Sequence, residues 1–154
     1  MKIFKFLFIS VFLVVGCSNS SEDLGDADLN CELVNIRDEE NNNKNASYYE
    51  VFVDNDSVSK VRFSVEIIQK NVDKKELNQV FDAIESLYTN QKSYEGVTYN
   101  STRDDESLNI NIIFDVDSLE KYENSVNIMG YFMDLDYSLD DYKITFESDN
   151  YVCK

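Results

Sequence analysis

Histidine is absent from this chain, and its reactive side chains are three cysteines and many aspartates, several of them in close pairs. Asp54 and Asp56, Asp115 and Asp117, Asp134 and Asp136, and Asp140 and Asp141 invite a metal reading. A calcium loop of the EF-hand type needs oxygens at alternate positions, a glycine for the sharp turn and a closing bidentate glutamate. None of these clusters has that set, and turn formation and helix capping, the ordinary uses of aspartate, account for them. Paired carboxylates could do acid/base work, but 30 acids without a distinguishing motif single out no pair. Lacking histidine, the chain has no side chain that unperturbed titrates near neutrality, and it lacks the commonest transition-metal ligand. No serine has a histidine base or a G-x-S-x-G elbow, and four scattered glycines make no phosphate-cradling loop. The sequence therefore points away from an enzyme and names no cofactor and no metal ligands.

The cysteines carry more. Lys2 and Lys5 precede an apolar run from Phe6 to Val15, and the run ends in Val14-Val15-Gly16-Cys17. This is the charged and apolar layout of a secretory signal peptide with a small-residue cleavage site directly before a cysteine. It matches the bacterial lipobox, whose chemistry places a diacylglyceryl group on the Cys17 sulfur and cleaves before that residue. The apolar run is far short of the roughly twenty residues a membrane-crossing helix needs. Two acyl chains on one glyceride anchor a protein stably, where one chain does not. The expected layout is a signal peptide over 1–16, a lipidated cysteine with a solvated Ser/Asp/Asn-rich tether over 17–29, and a single domain over 30–154. The expected place is the outer face of the cell membrane.

Removing residues 1–16 takes away Lys2 and Lys5 and no acids, so 12 basic residues face 30 acidic ones, a formal charge of −18. That balance excludes nucleic acid as a partner, since such binding needs basic side chains to displace counterions from phosphates. It also opposes electrostatic attachment to anionic lipid, leaving the acyl chains as the hold on the membrane. A cationic partner, divalent cations and plain solubility all remain open. Cys31 and Cys153 are left after lipidation, and an exported setting permits a disulfide between them, with two free thiols as the alternative. A C-x-x-C spacing is missing, which speaks against redox chemistry.

The elements that would hold these residues read as an α+β domain. Asn30 to Arg37 alternates as a strand, and the polar run Asp38 to Asn45 reads as a loop. Tyr48–Val53 and Val58–Ile68 form a hairpin about Asp54-Asn55-Asp56-Ser57, whose residue types tolerate left-handed turn geometry. Asp73 and Glu76 make a D-x-x-E capping box, flanked by Val72 and Leu77 as a hydrophobic staple. Leu77, Val80, Phe81, Ile84, Leu87 and Tyr88 recur at helical spacing and predict one buried face. Val97–Thr102 and Ser107–Val116 form a second hairpin, with Leu108, Ile110, Ile112, Phe114 and Val116 on one side and Asn109, Asn111, Ile113 and Asp115 on the other. Ser138 to Asp141 resembles another capping box and opens a short helix through Tyr142 and Phe146, although Lys143 to Phe146 could equally be a strand. The expected order is β-β-β-α-β-β-α, an antiparallel sheet of about five strands with helices packed on one face.

The order of these segments resembles the YehR-like bacterial lipoproteins, a family of uncharacterised function. The similar stretches are residues 48–67, the helix, the sequence YEGVTYN around Gly96, and residues 110–120. Tyr151-Val152-Cys153-Lys154, taken with a cysteine in the first strand, looks like the Gram-positive branch. The resemblance implies an α+β fold and a cell-surface lipoprotein, and it supplies no catalytic residues.

Two places could bind. The polar sheet face carries Arg62, Glu66, Asn109 and Asn111. The segment from Asn127 to Tyr137 combines two methionines with aromatics, including Tyr131 and Phe132, a composition used by adaptable binding surfaces. Closing the core is the plainer role for the apolar residues of that segment. The expected function is non-catalytic binding of a small ligand or cation at the cell surface, with docking to another envelope protein as the alternative.

Overall fold

Asn55 and Asp56 both adopt positive φ, 50° and 67°, and join two twelve-residue strands through a two-residue turn. Such a turn matches the natural twist of paired strands, and Asn and Asp tolerate its backbone best after glycine. The computed structural model describes residues 24–38, 40–119, 125–128, 131–134 and 137–154. In chain order the elements are β1 (Leu29–Asp38), β2 (Asn43–Asp54), β3 (Ser57–Ile68), α1 (Lys74–Thr89), a 3-10 turn (Asn90–Ser93), β4 (Val97–Arg103), β5 (Ser107–Asp115), α2 (Val116–Leu119), β6 (Ser125–Ile128), β7 (Tyr131–Asp134), α3 (Leu139–Ser148) and β8 (Val152–Cys153). The lipobox and Cys17 lie outside the described residues. No described helix is long and apolar enough to cross a membrane.

The expectation of about five strands is corrected to six in one open antiparallel sheet, ordered β4-β5-β3-β2-β1-β8, with β6 and β7 paired separately. The sixth strand is β8, two residues long, which lies against β1 with Cys31 opposite Cys153 and Glu32 opposite Val152. Asn30 and Lys154 exchange two backbone hydrogen bonds, 3.2 and 2.8 Å, and a disulfide joins Cys31 to Cys153 across 122 positions of sequence. The polar loop is also shorter than its composition suggests. Asn43, Lys44 and Asn45 extend β2, because Asp38, Arg37 and Ile36 on one side and Ile67 and Ile68 on the other supply ladder partners. Tertiary pairing overrides their weak strand preference.

One sheet face holds the core. Val51, Val61, Phe114 and Val97 form one cross-strand row, and Cys31, Tyr49, Phe63, Ile112 and Tyr99 the next. α3 drops Phe146 onto Tyr49, the rings stacked at 4.1 Å and 10°. The Ser138 capping box is complete, with Asp141 N–H donating to Ser138 Oγ and Ser138 N–H donating to Asp141 Oδ2, so residues 143–146 are helix. α1 is capped by Asp73, whose carboxylate accepts from the Lys75 and Glu76 N–H groups. Its buried seam is narrower than the predicted stripe. Leu77 and Phe81 are buried and Ile84 and Tyr88 pack against the core, whereas Val80 and Leu87 are 49% and 69% exposed. The last two sit on the flank of the seam, where a helix lying across a sheet turns away from it. Val72, predicted as half of a staple, is also exposed. The Arg103 guanidinium fastens this helix to β4 through Asp82 (2.6 Å), Glu85 (3.0 Å) and Asn78 (3.0 Å).

The strand β5 ends one residue before Val116, which opens α2 instead of continuing the alternation. Asp115 caps this turn by accepting from Ser118 N–H at 2.9 Å, and its own N–H donates to Gly96 O. Gly96 has φ +84°, and a Cβ there would stand 2.5 Å from Ser118 Cβ. The close approach of β4 to α2 therefore requires glycine.

Candidate functional site

The face away from the core is a grid set by strand register. Asn100, Asn111, Ser64, Tyr48 and Glu32 form one row across five strands, with Val152 of β8 extending it. The row on one side runs Asn109, Glu66, Ala46 and Val34, and that on the other runs Ile113, Arg62, Glu50 and Asn30. Arg62, Glu66, Asn109 and Asn111 thus share one face, as their period-two spacing required.

Their side chains are largely engaged with neighbours. Arg62 donates from Nε and Nη2 to the two oxygens of Glu50, at 2.5 and 2.6 Å, with each side chain only about a quarter exposed. Such fork-to-fork pairs are the strong, oriented form of ion pair. The guanidinium also lies over the Phe52 ring at 5.5 Å, which helps bury that ring on the nominally polar face. Glu66 accepts from Lys44 Nζ at 2.6 Å and from the Tyr48 hydroxyl at 3.1 Å, while Lys44 hangs over the Tyr48 ring. Ser64 Oγ donates to Asn111 Oδ1 at 2.7 Å. Hydrogen bonding to Glu50 holds the Arg62 pKa above its usual range, and Glu66 does the same for Lys44. Burial raises the Tyr48 phenol. All three shifts carry the groups further from neutrality, so these groups keep one protonation state at physiological pH.

The concavity on this face lies to one side of Arg62. A groove of about 640 Å³ lies over β1, between β8 and β2, lined by Glu32, Val34, Tyr48, Glu50, Val152 and Lys154 among others. That volume falls within the ~300–1,000 Å³ range of small-molecule sites. The Glu32 carboxylate stands beside a phenol ring and two valines, with the Lys154 ammonium also in the lining and both Glu50 oxygens held by Arg62. Glu50 ties the groove to Arg62, and Tyr48 ties it to Glu66, so two predicted residues support its wall. Asn109 lies away from it. Glu32 and Tyr48 were legible from strand alternation, whereas the groove itself needs β8, which two residues of sequence could not announce. Tyr131 and Phe132 fall in β7, opposite Ile128 and Asn127 of β6.

Among the described residues no three Cys, Asp or Glu side chains gather as a metal site. Where the aspartates of the predicted pairs are seen bonded, they serve as caps, Asp115 for α2 and Asp141 for α3.

No family model matches this chain, and no curated protein matches it. Among solved structures it is similar to the NMR structure of the E. coli YehR protein, with a TM-score of 0.47 and 16% identity, covering 84% of this chain and 92% of that one.

Proposed function

We propose that the protein is a YehR-like lipoprotein, anchored by a diacylglyceryl group on Cys17 at the outer face of the membrane, whose domain binds a small organic cation without catalysis. The groove between β8 and β2 carries the reading. It sets the Glu32 carboxylate beside Tyr48, Val34 and Val152, with Lys154 also lining it and Glu50 held by Arg62, on a chain of net charge −16. A field of that sign concentrates cations at the surface, and the apolar wall selects those with a hydrocarbon portion. The ion-paired, far-from-neutral groups on this face support binding over proton transfer.

The test is thermal unfolding of the chain from Ser18 onward against a panel of mono- and diamines and divalent cations. A ligand at about a hundred times its dissociation constant adds roughly 2.7 kcal/mol, enough to raise the midpoint by several degrees. The rise should be saturable, specific to amines with an apolar portion, and lost in Glu32→Gln. No rise across the panel would refute cation capture and leave docking to an envelope protein, sought by cross-linking on cells. The anchor is tested separately: Cys17→Ser should abolish incorporation of labelled palmitate and release the protein from the membrane fraction.

A further inference from the structure

The two edges of the sheet are finished differently. At one, β8 lies on β1 and is held there by the Cys31–Cys153 bridge. The other edge is β4, seven residues from Val97 to Arg103, and among the described residues no strand pairs with its outer side. Its register on β5 fixes which groups face outward. Gly96 O accepts from Asp115 N–H at 2.9 Å and Asp104 N–H donates to Ser107 O at 3.0 Å, so the main chain of the even positions turns toward β5. The N–H and C=O groups of Tyr99, Ser101 and Arg103, together with the Val97 C=O, therefore project from the open edge, while the Val97 N–H donates to Tyr94 O.

Soluble proteins blunt such an edge with lysine, proline, a bulge or a very short strand. β4 uses none of these devices: it contains no lysine and no proline, and its pairing with β5 runs without a register shift. Its one charge, Arg103, is turned to the helix side and held by Asp82 and Glu85. No acid lies between Gly96 and Arg103, which makes the strand a carboxylate-free strip on a chain of net charge −16. On the helix side the edge is flanked by a hollow of about 400 Å³ lined by Glu85, Thr89, Lys92, Tyr99, Asn100 and Ser101, which leaves room for an added strand.

We propose that β4 pairs antiparallel with β4 of a second copy of this chain, about a two-fold axis at Asn100. Full overlap of the strand with its copy puts the axis at this middle residue. Tyr99 and the partner's Ser101 then exchange N–H···O bonds in both directions, and Arg103 N–H reaches the partner's Val97 O. On the open face Thr98 stands opposite the partner's Thr102, and Asn100 opposite the partner's Asn100, hydroxyl and amide pairs that favour a cross-strand match. Each Arg103 faces a valine, so no like charges stand directly opposed. An isologous contact needs a surface that complements itself, and this strand does so about its centre. Two copies of an acidic chain also approach most easily where carboxylates are absent, which favours β4 as the meeting place. The ladder is small beside the ~1,200–2,000 Å² of standard interfaces, so the pair forms in a concentration-dependent way. It lies at the far edge from the β8 groove and stands without it.

The experiment is cysteine trapping in cells that express the full chain, under mild oxidation, read as covalent dimer above the background of the unaltered chain. Facing Asn100 residues form a non-hydrogen-bonded pair with Cα atoms ~4.5 Å apart, inside the ~4.4–6.8 Å range of a disulfide. Two copies of Thr98 stand four positions apart along the strands, ~13 Å, which a disulfide cannot span. Asn100→Cys should therefore give about tenfold or more dimer than Thr98→Cys or Thr102→Cys expressed alone. Dimer should return when Thr98→Cys and Thr102→Cys are co-expressed on differently tagged chains. All three positions lie on the open face at the sheet edge, and melting together with an intact Cys31–Cys153 bridge checks that each variant folds. Equal trapping at positions 98, 100 and 102 would mean random collision and overturn the proposal. Absence of dimer in folded Asn100→Cys, or in the co-expressed 98 and 102 pair, would overturn it as well.

Discussion

Removing the Cys31–Cys153 bridge should cost this domain several kcal/mol, and mainly through the unfolded state. The bond closes a loop of 122 positions, for which the chain-entropy model gives about 5 kcal/mol. Residual structure in the denatured chain lowers that figure, so ~3–5 kcal/mol is the expected loss for the double variant Cys31→Ala/Cys153→Ala. Domains of this size are stable by only ~5–15 kcal/mol, so the variant should sit close to the threshold of folding. Urea denaturation of both proteins, oxidised and in reductant, makes the measurement. Two signatures are expected: a lower midpoint, and a steeper slope, because an uncrosslinked chain exposes more surface when it unfolds. The native contacts of β8 are few, a two-residue ladder and the Asn30–Lys154 bonds, and cannot supply the loss by themselves. A drop in midpoint with unchanged slope would locate the effect in the folded state and refute the reasoning. An unchanged midpoint would mean that the bridge does not constrain the chain at all.

Phe146→Ala, which removes the ring stacked on Tyr49, should cost ~3–5 kcal/mol, whereas Leu87→Ala on the exposed flank of α1 should stay within about 0.5 kcal/mol; chemical denaturation of both tests the narrow seam. Gly96→Ala should destabilise by ~2 kcal/mol, since φ is +84° and the new Cβ meets Ser118, and a neutral result would mean that α2 does not press on β4. Tyr88 and Tyr151 have phenol pKa values raised by burial, and the Lys44 ammonium is raised by Glu66. A raised folded pKa gives stability that is full below the unfolded value and lost as pH climbs through the folded one. Melting midpoints should therefore fall above about pH 10, together with the appearance of tyrosinate absorbance; a flat profile to higher pH would show that these phenols titrate as if unfolded.

Elements with a local signature were readable in the chain. The Asn55-Asp56 turn, the Asp73 and Ser138 caps and the alternation of β3 and β5 each follow from residue types within a few positions, and the structure carries them all. Features set by distant partners were not readable. Asn43 to Asn45 look like loop until Ile36 and Ile67 pair with Asn45. Val152 and Cys153 become a strand only because β1 offers an edge. The common face of Arg62, Glu66, Asn109 and Asn111 followed from spacing, but spacing could not show that Glu50, Lys44 and Ser64 would occupy three of the four. The packing of Tyr151 on Phe146 and Tyr49 depends on a helix terminus and a strand meeting in space, and no linear pattern records that meeting.

The strand order also has a topological consequence. With its first and last strands joined covalently at one edge, nearly all the core lies inside a closed ring of chain. A machine that unfolds proteins by threading one end through a narrow pore reaches the bridge within a few residues of β1 or β8. From there it must draw two strands through together, or wait for a reductant. In the oxidised state the domain should therefore resist processive degradation from its ends far better than its equilibrium stability alone would suggest, and exposed loops become the places where its lifetime is decided.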